Sequence, residues 1–182
     1  PETSLRLAMA LIDLAAIPRE SPVLDFGCAL GYLVKALRLL FRDAYGVDHS
    51  EWAVANADPM VRDYIRVVHE GYTWPFEHIA FHTVIAKDVL EHLTREQVEI
   101  VLLRLRRMSQ QLVVIVPLGD GEKFFVPYME EEPDHALRQP TFWWRERLEA
   151  ARWVPQVVTH RLEGIKDQWS HYQNGHAILY AR

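Results

Sequence analysis

A chain of 182 residues with 49% hydrophobic content is the size of one ordinary domain and can bury a full three-layer core of its own. Its 20 Lys plus Arg stand against 25 Asp plus Glu, and the formal net charge of -5 argues against a surface built to neutralise nucleic-acid phosphates. The single cysteine, Cys28, excludes an internal disulfide, and no apolar run approaches the ~18 residues that cross a bilayer, so a cytoplasmic protein with no membrane partner is expected.

The stretch from Leu5 to Ile17 is apolar but interrupted by Arg6 and Asp13, which reads as an amphipathic helix and not as a signal peptide. Val23-Leu24-Asp25-Phe26 is a short β-prone run that stops at Gly27, and Leu33, Ala36, Leu37 and Leu40 then recur at helical spacing up to Phe41. The unit is strand, glycine turn, helix. A second strand spans Ala44 to Val47, and a helix from Trp52 to Val61 is interrupted near Pro59. Strands follow at Ile65 to Val68 and Phe81 to Ala86. Val98, Val101, Leu102 and Leu105 share one face of a helix running from Arg95 to Met108.

Leu112 to Val116 is almost wholly apolar and β-branched, as expected of a strand covered on both faces. The polar connection from Leu118 to Pro140 is long, and loops of that length usually carry function or disorder. A helix from Phe142 to Ala151 and two strands, Val157 to Arg161 and His176 to Ala181, close the chain. The alternation predicts a Rossmann-like α/β three-layer sandwich, with a mostly parallel seven-stranded sheet ending in an antiparallel hairpin, as one domain over residues 1–182.

In open parallel sheets ligands sit beyond the carboxyl ends of the strands. Asp25-Phe26-Gly27-Cys28-Ala29-Leu30-Gly31 occupies such a place, where glycines permit a tight turn and let backbone amides approach a ligand at a helix N-terminus; the alternative is a turn with no ligand. Gly46-Val47-Asp48-His49-Ser50 occupies the next. Asp48 lies 21 residues beyond Gly27, near the ~20-residue offset at which a carboxylate grips a ribose diol. Its other reading is a cap for the following helix.

Taken in order with Asp88-Val89-Leu90-Glu91-His92-Leu93, these two motifs resemble the class I S-adenosylmethionine-dependent methyltransferases over nearly the whole chain. The resemblance implies S-adenosylmethionine as cofactor and S-adenosylhomocysteine as product. It implies that Asp25, Gly27, Cys28, Ala29 and Gly31 hold the methionine end, Asp48 the ribose, and the segment beginning at Glu70, with Tyr72 and Thr73, the adenine, His49 also lying at the cofactor. At the end of the fourth strand Asp88 or a backbone carbonyl meets the cofactor's amino group, the alternative being an exposed turn. Two positions depart from the family pattern. Tyr72 replaces the usual acid, which leaves Tyr72 or Trp74 to stack on the adenine, and Ala29 replaces a glycine, a change tolerated sterically if its φ stays below zero.

The resemblance also places His92 near the reacting end of the cofactor, as one candidate base; its alternative is a histidine that positions the loop. His135, in the long loop, is the second candidate, in a segment able to roof an acceptor pocket; the alternative for this charged run is a solvated surface. Cys28 is expected to pack and not to react, and Trp143, Trp144 and Trp153 to serve the core. No metal is expected: His78 and His82 are four apart but fall on a loop and a strand, where that spacing does not bring two imidazoles together. The implied function is methyl transfer to a small-molecule acceptor at oxygen, nitrogen or carbon, by a monomer or homodimer; the alternative is a catalytically silent binding or scaffold protein.

Overall fold

The computed structural model describes residues 2–69, 74–162 and 175–182. Its helices are α1 (Glu2–Leu14), α2 (Tyr32–Leu39), α3 (Glu51–Ala55), α4 (Arg95–Met108) and α5 (Thr141–Ala150). Its strands are β1 (Pro22–Phe26), β2 (Asp43–Asp48), β3 (Ile65–Val67), β4 (Phe81–Lys87), β5 (Ser109–Pro117), β6 (Pro155–Thr159) and β7 (His176–Ala181). The strands form a seven-stranded sheet in the order β3-β2-β1-β4-β5-β7-β6, with β7 antiparallel to both β5 and β6. This is the mostly parallel Rossmann-like sheet with a terminal antiparallel hairpin that the sequence predicts.

The chain packs as two compact units, one made of residues 1–85 with 108–110 and the other of residues 86–107 with 111–182. In the first, β1 pairs in parallel with β2 and β2 with β3, so the ends of β1 and β2 lie side by side, Phe26 opposite Val47. Helix α2 buries Leu33, Val34, Ala36 and Leu37, and α1 packs against it with Leu7, Ala8 and Leu11 buried. Helix α3 is shorter than the spacing predicts. Ser50 caps it, its Oγ accepting from Ala53 N at 3.2 Å, and it ends at Ala55 ahead of the Asp58-Pro59 turn.

In the second unit, α4 starts with a capping box: Thr94 Oγ1 accepts from Gln97 N at 3.3 Å while Gln97 Oε1 accepts from Thr94 N at 2.8 Å. Arg106 and Arg107 sit in its last turn, where the helix dipole favours cations. Strand β7 is buried along its whole length, whereas β6, at the sheet edge, exposes Val157 and Val158. The long connection after β5 is not an open coil. A one-turn 3-10 helix at Pro127–Glu131 and a small core of Phe124, Val126 and Met129 fold it onto itself.

Candidate functional site

The turn after β1 is built by its two glycines. Gly27 (φ 81) and Gly31 (φ 77) take left-handed conformations that other residues adopt only at a cost, and a Cβ on Gly31 would stand 2.3 Å from Ile65 Cδ1. Ala29 lies between them with φ 46. The condition for alanine to be accommodated without cost, a negative φ, is not met: the turn holds Ala29 in the left-handed conformation too, and the chain accepts the steric cost of its methyl group.

The turn is braced against the end of β2. Gly27 N and Cys28 N both donate to Val47 O, at 2.8 and 3.0 Å, Ala29 N donates to Asp48 Oδ2 at 2.8 Å, and Gly31 N donates to Cys28 O at 2.8 Å. This revises the picture of turn amides aimed at a ligand, because these four are bonded within the chain. The first turn of α2 follows directly, and its N-cap, Gly31, brings no side chain to cap its amides.

Asp48 is 8% exposed, and its second oxygen, Oδ1, accepts from Ser50 N at 2.9 Å. Helix capping is not its role, since Ser50 does that work. A carboxylate offers about four acceptor positions, so two backbone donors leave room for the hydroxyls of a ribose. His49 is almost wholly exposed, its Nδ1 3.6 Å from Asp48 Oδ1. Asp25 is buried at the end of β1. Burial, followed by the negative charges of Asp25 and Asp48, pushes the Cys28 thiol far above its ordinary range, which leaves it protonated and unreactive.

That negative field suits a ligand bearing ammonium and sulfonium charges, and the buried carboxylates and strained turn fit S-adenosylmethionine on this account. Tyr72 and Thr73 lie outside the described residues. Trp74 is buried and stacks on Phe26, ring centroids 5.2 Å apart and planes within 9°, so one of its faces is already covered, which leaves it less available to stack on an adenine than the sequence suggests.

In the second unit, Asp88 has a left-handed backbone (φ 51), donates its amide to Ile115 O at 2.9 Å, and its carboxylate meets Lys87 Nζ and lies 3.8 Å from His176 Nε2. A 3-10 turn at Leu90–His92 follows. His135 is buried, and its ring lies against His92 with centroids 4.7 Å apart and against Phe124 at 5.2 Å. The two histidines named as candidate bases, 43 residues apart in sequence, thus form one cluster. Glu91, a residue that the sequence reading passes over, joins them: its carboxylate and the two imidazoles present ligand-type atoms all within 4.8 Å of one another. The adjacency of Glu91 and His92 was the sole sequence signal, and nothing local points to His135 as their partner. Burial and then His135 hold the His92 pKa below the usual histidine value, although solvent reaches the ring.

Residues 23–111, just under half of the chain, match the family model for a methyltransferase domain. No curated protein sequence matches the chain. Among solved structures, a TehB-like S-adenosylmethionine-dependent methyltransferase from Corynebacterium glutamicum superposes with a TM-score of 0.66 at 17% identity, over 96% of this chain and 86% of the other. The geranyl diphosphate C-methyltransferase of Streptomyces coelicolor, solved with Mg2+, geranyl diphosphate and S-adenosylhomocysteine, gives 0.72 at 16% identity, over 96% and 78%. A structure of the Haloferax volcanii Trm112 methyltransferase activator in complex with a methyltransferase candidate gives 0.73 at 15% identity, over 99% and 89%.

Residues 23–111 are therefore similar to a methyltransferase domain, and the chain has the fold of the class I S-adenosylmethionine-dependent methyltransferases. S-adenosylmethionine is the methyl donor of this family. Among the described residues no helix is long and apolar enough to cross a membrane.

Proposed function

We propose that residues 1–182 act as one methyltransferase domain that transfers the methyl group of S-adenosylmethionine to a small-molecule acceptor. The observation that carries this reading is the buried Asp48 carboxylate, which Ala29 N and Ser50 N fix at the end of β2 with acceptor positions to spare. Asp48 binds the ribose hydroxyls. Asp25 and the turn from Gly27 to Gly31 orient the methionine end, and the exposed His49 borders the ribose.

When bound, the cofactor supplies a sulfonium methyl electrophile; the protein's tasks are to align the acceptor and exclude water. His92 and His135 handle the acceptor, an assignment that rests on the family resemblance for the turn after β4. Its lowered pKa keeps His92 neutral at neutral pH, so a ring nitrogen can accept a proton from an acceptor hydroxyl. His135 Nδ1 lies 2.9 Å from Met129 O; a carbonyl only accepts, so Nδ1 carries the hydrogen and Nε2 keeps its lone pair. Asp88 meets the cofactor's amino group in this scheme. The acidic balance of the chain supports a small acceptor over a nucleic acid, and a neighbour of the same fold is a C-methyltransferase named for a small diphosphate.

Calorimetric titration with S-adenosylhomocysteine tests the reading, followed by methyl-transfer assays on small hydroxyl, carboxyl and amine acceptors. Micromolar binding, about 8 kcal/mol, that is lost in Asp48→Ala supports it. Absence of binding to well-folded protein refutes it in favour of a scaffold.

A further inference from the structure

We infer that Glu91, His92 and His135 form a binding site for a divalent transition-metal ion. The proposal rests on the chemistry of these three side chains and does not depend on methyl transfer. Two imidazoles and one carboxylate, with ligand-type atoms all within 4.8 Å of one another, are the donor set that selects Mn2+, Fe2+, Co2+ or Zn2+ over Mg2+ or Ca2+, which prefer oxygen alone. Bonds of about 2.0–2.2 Å to one ion put neighbouring ligand atoms roughly 3–3.5 Å apart. The widest separation must therefore close by up to about 1.5 Å, and the solvent-exposed ring of His92 supplies that movement by giving up its hydrogen bond to the Asp134 main chain.

The surroundings hold the other two members in place. His135 is 8% exposed and its Nδ1 hydrogen is committed to Met129 O, which fixes the tautomer with Nε2 as the ligand atom; metal-binding histidines characteristically have such a partner on the second nitrogen. The main-chain oxygen of Glu91 accepts from both Ala136 N, at 2.8 Å, and Leu137 N, at 2.9 Å. One residue thereby supplies a carboxylate and also ties down the loop that carries His135. Asp88 and Asp134 act electrostatically on His92 and add to a field that favours a cation.

Three protein ligands leave coordination positions open, and these take water or an oxygen of a small molecule. With an ion bound, the His92 lone pair is engaged by the metal, so direct proton acceptance by His92 belongs to the metal-free protein.

The test is titration of chelator-stripped full-length protein with Co2+, read by its visible d–d absorption, and with Zn2+ by calorimetry. One equivalent of tightly bound ion is expected, with affinity falling at least tenfold in Glu91→Gln, His92→Ala and His135→Ala. Circular dichroism checks each fold, and His92→Ala, which alters an exposed ring, decides the matter if a buried variant does not fold. Absence of a Co2+ spectrum in wild-type protein, or unchanged affinity in His92→Ala, overturns the proposal. S-adenosylhomocysteine titration of the same wild-type sample keeps the two readings apart: metal without nucleoside binding defeats the methyltransferase reading alone, and nucleoside without metal binding defeats this one alone.

Discussion

Asp48 Oδ2 accepts the amide hydrogen of Ala29 at 2.8 Å, so the acid at the end of β2 also braces the turn at the end of β1. On the proposed reading, cofactor recognition and the integrity of the turn both draw on this one carboxylate. Asp48→Asn keeps the shape but replaces one acceptor oxygen by a donor group, which opposes either Ala29 N or Ser50 N. A charge-assisted hydrogen bond of about 2 kcal/mol predicts roughly thirtyfold weaker S-adenosylhomocysteine binding by calorimetry, with a lower Tm in the ligand-free protein. An unchanged Kd would remove Asp48 from the site.

Ala29, at φ 46, pays for a left-handed conformation that glycine adopts freely. Ala29→Gly relieves a strain of about 1 kcal/mol, which corresponds to a Tm increase of roughly 2–4 °C in a domain of this size. Thermal denaturation checks this, and a decrease would show that the methyl group packs well enough to outweigh the backbone cost.

Gly46 lies in β2, where its role is space and not backbone freedom. A Cβ there would stand 2.7 Å from Cys28 Sγ and 3.0 Å from Val34 Cγ2. Gly46→Ala is expected to destabilise by about 1–3 kcal/mol through overpacking. The pair Gly46→Ala with Cys28→Ala should recover part of that loss, read as a non-additive term in denaturant unfolding. Strict additivity would place the strain elsewhere.

Glu130 organises the long loop by accepting from Phe124 N and from Arg138 Nε, and the first of these contacts, then Arg138, lowers its pKa. With the folded pKa below the unfolded one, its contribution is complete above the ordinary value of 4.5 and is lost as pH falls below it. Glu130→Gln at neutral pH should mimic acid. Limited proteolysis is expected to cut between Leu118 and Pro140 faster in the variant, with little change in global Tm, and equal cleavage rates would assign the loop's order to its Phe124-Val126-Met129 core.

Much of the fold was legible because strand and helix periods are local. The compact β-prone run Val23-Leu24-Asp25-Phe26 reflects burial on both faces of a strand, the helical spacing from Val98 to Leu105 reflects burial of one face, and both elements lie where those patterns put them. The turn at the candidate site was legible in part, through Gly27, Gly31 and Asp48, since turns at strand ends demand particular residue types. The sign of φ at Ala29 was not, because the bond from its amide to Asp48 comes from another strand.

The amino-acid sequence by itself determined the order of elements, the glycine turn and the acid 21 residues beyond it, for these follow from short-range sterics and burial. Only the tertiary structure decided that Asp48 spends a hydrogen bond on Ala29, that Phe26 covers Trp74, and that Glu91 and His92 meet His135. Contacts between residues tens of positions apart depend on how the loops close, and no local pattern along the chain encodes that closure.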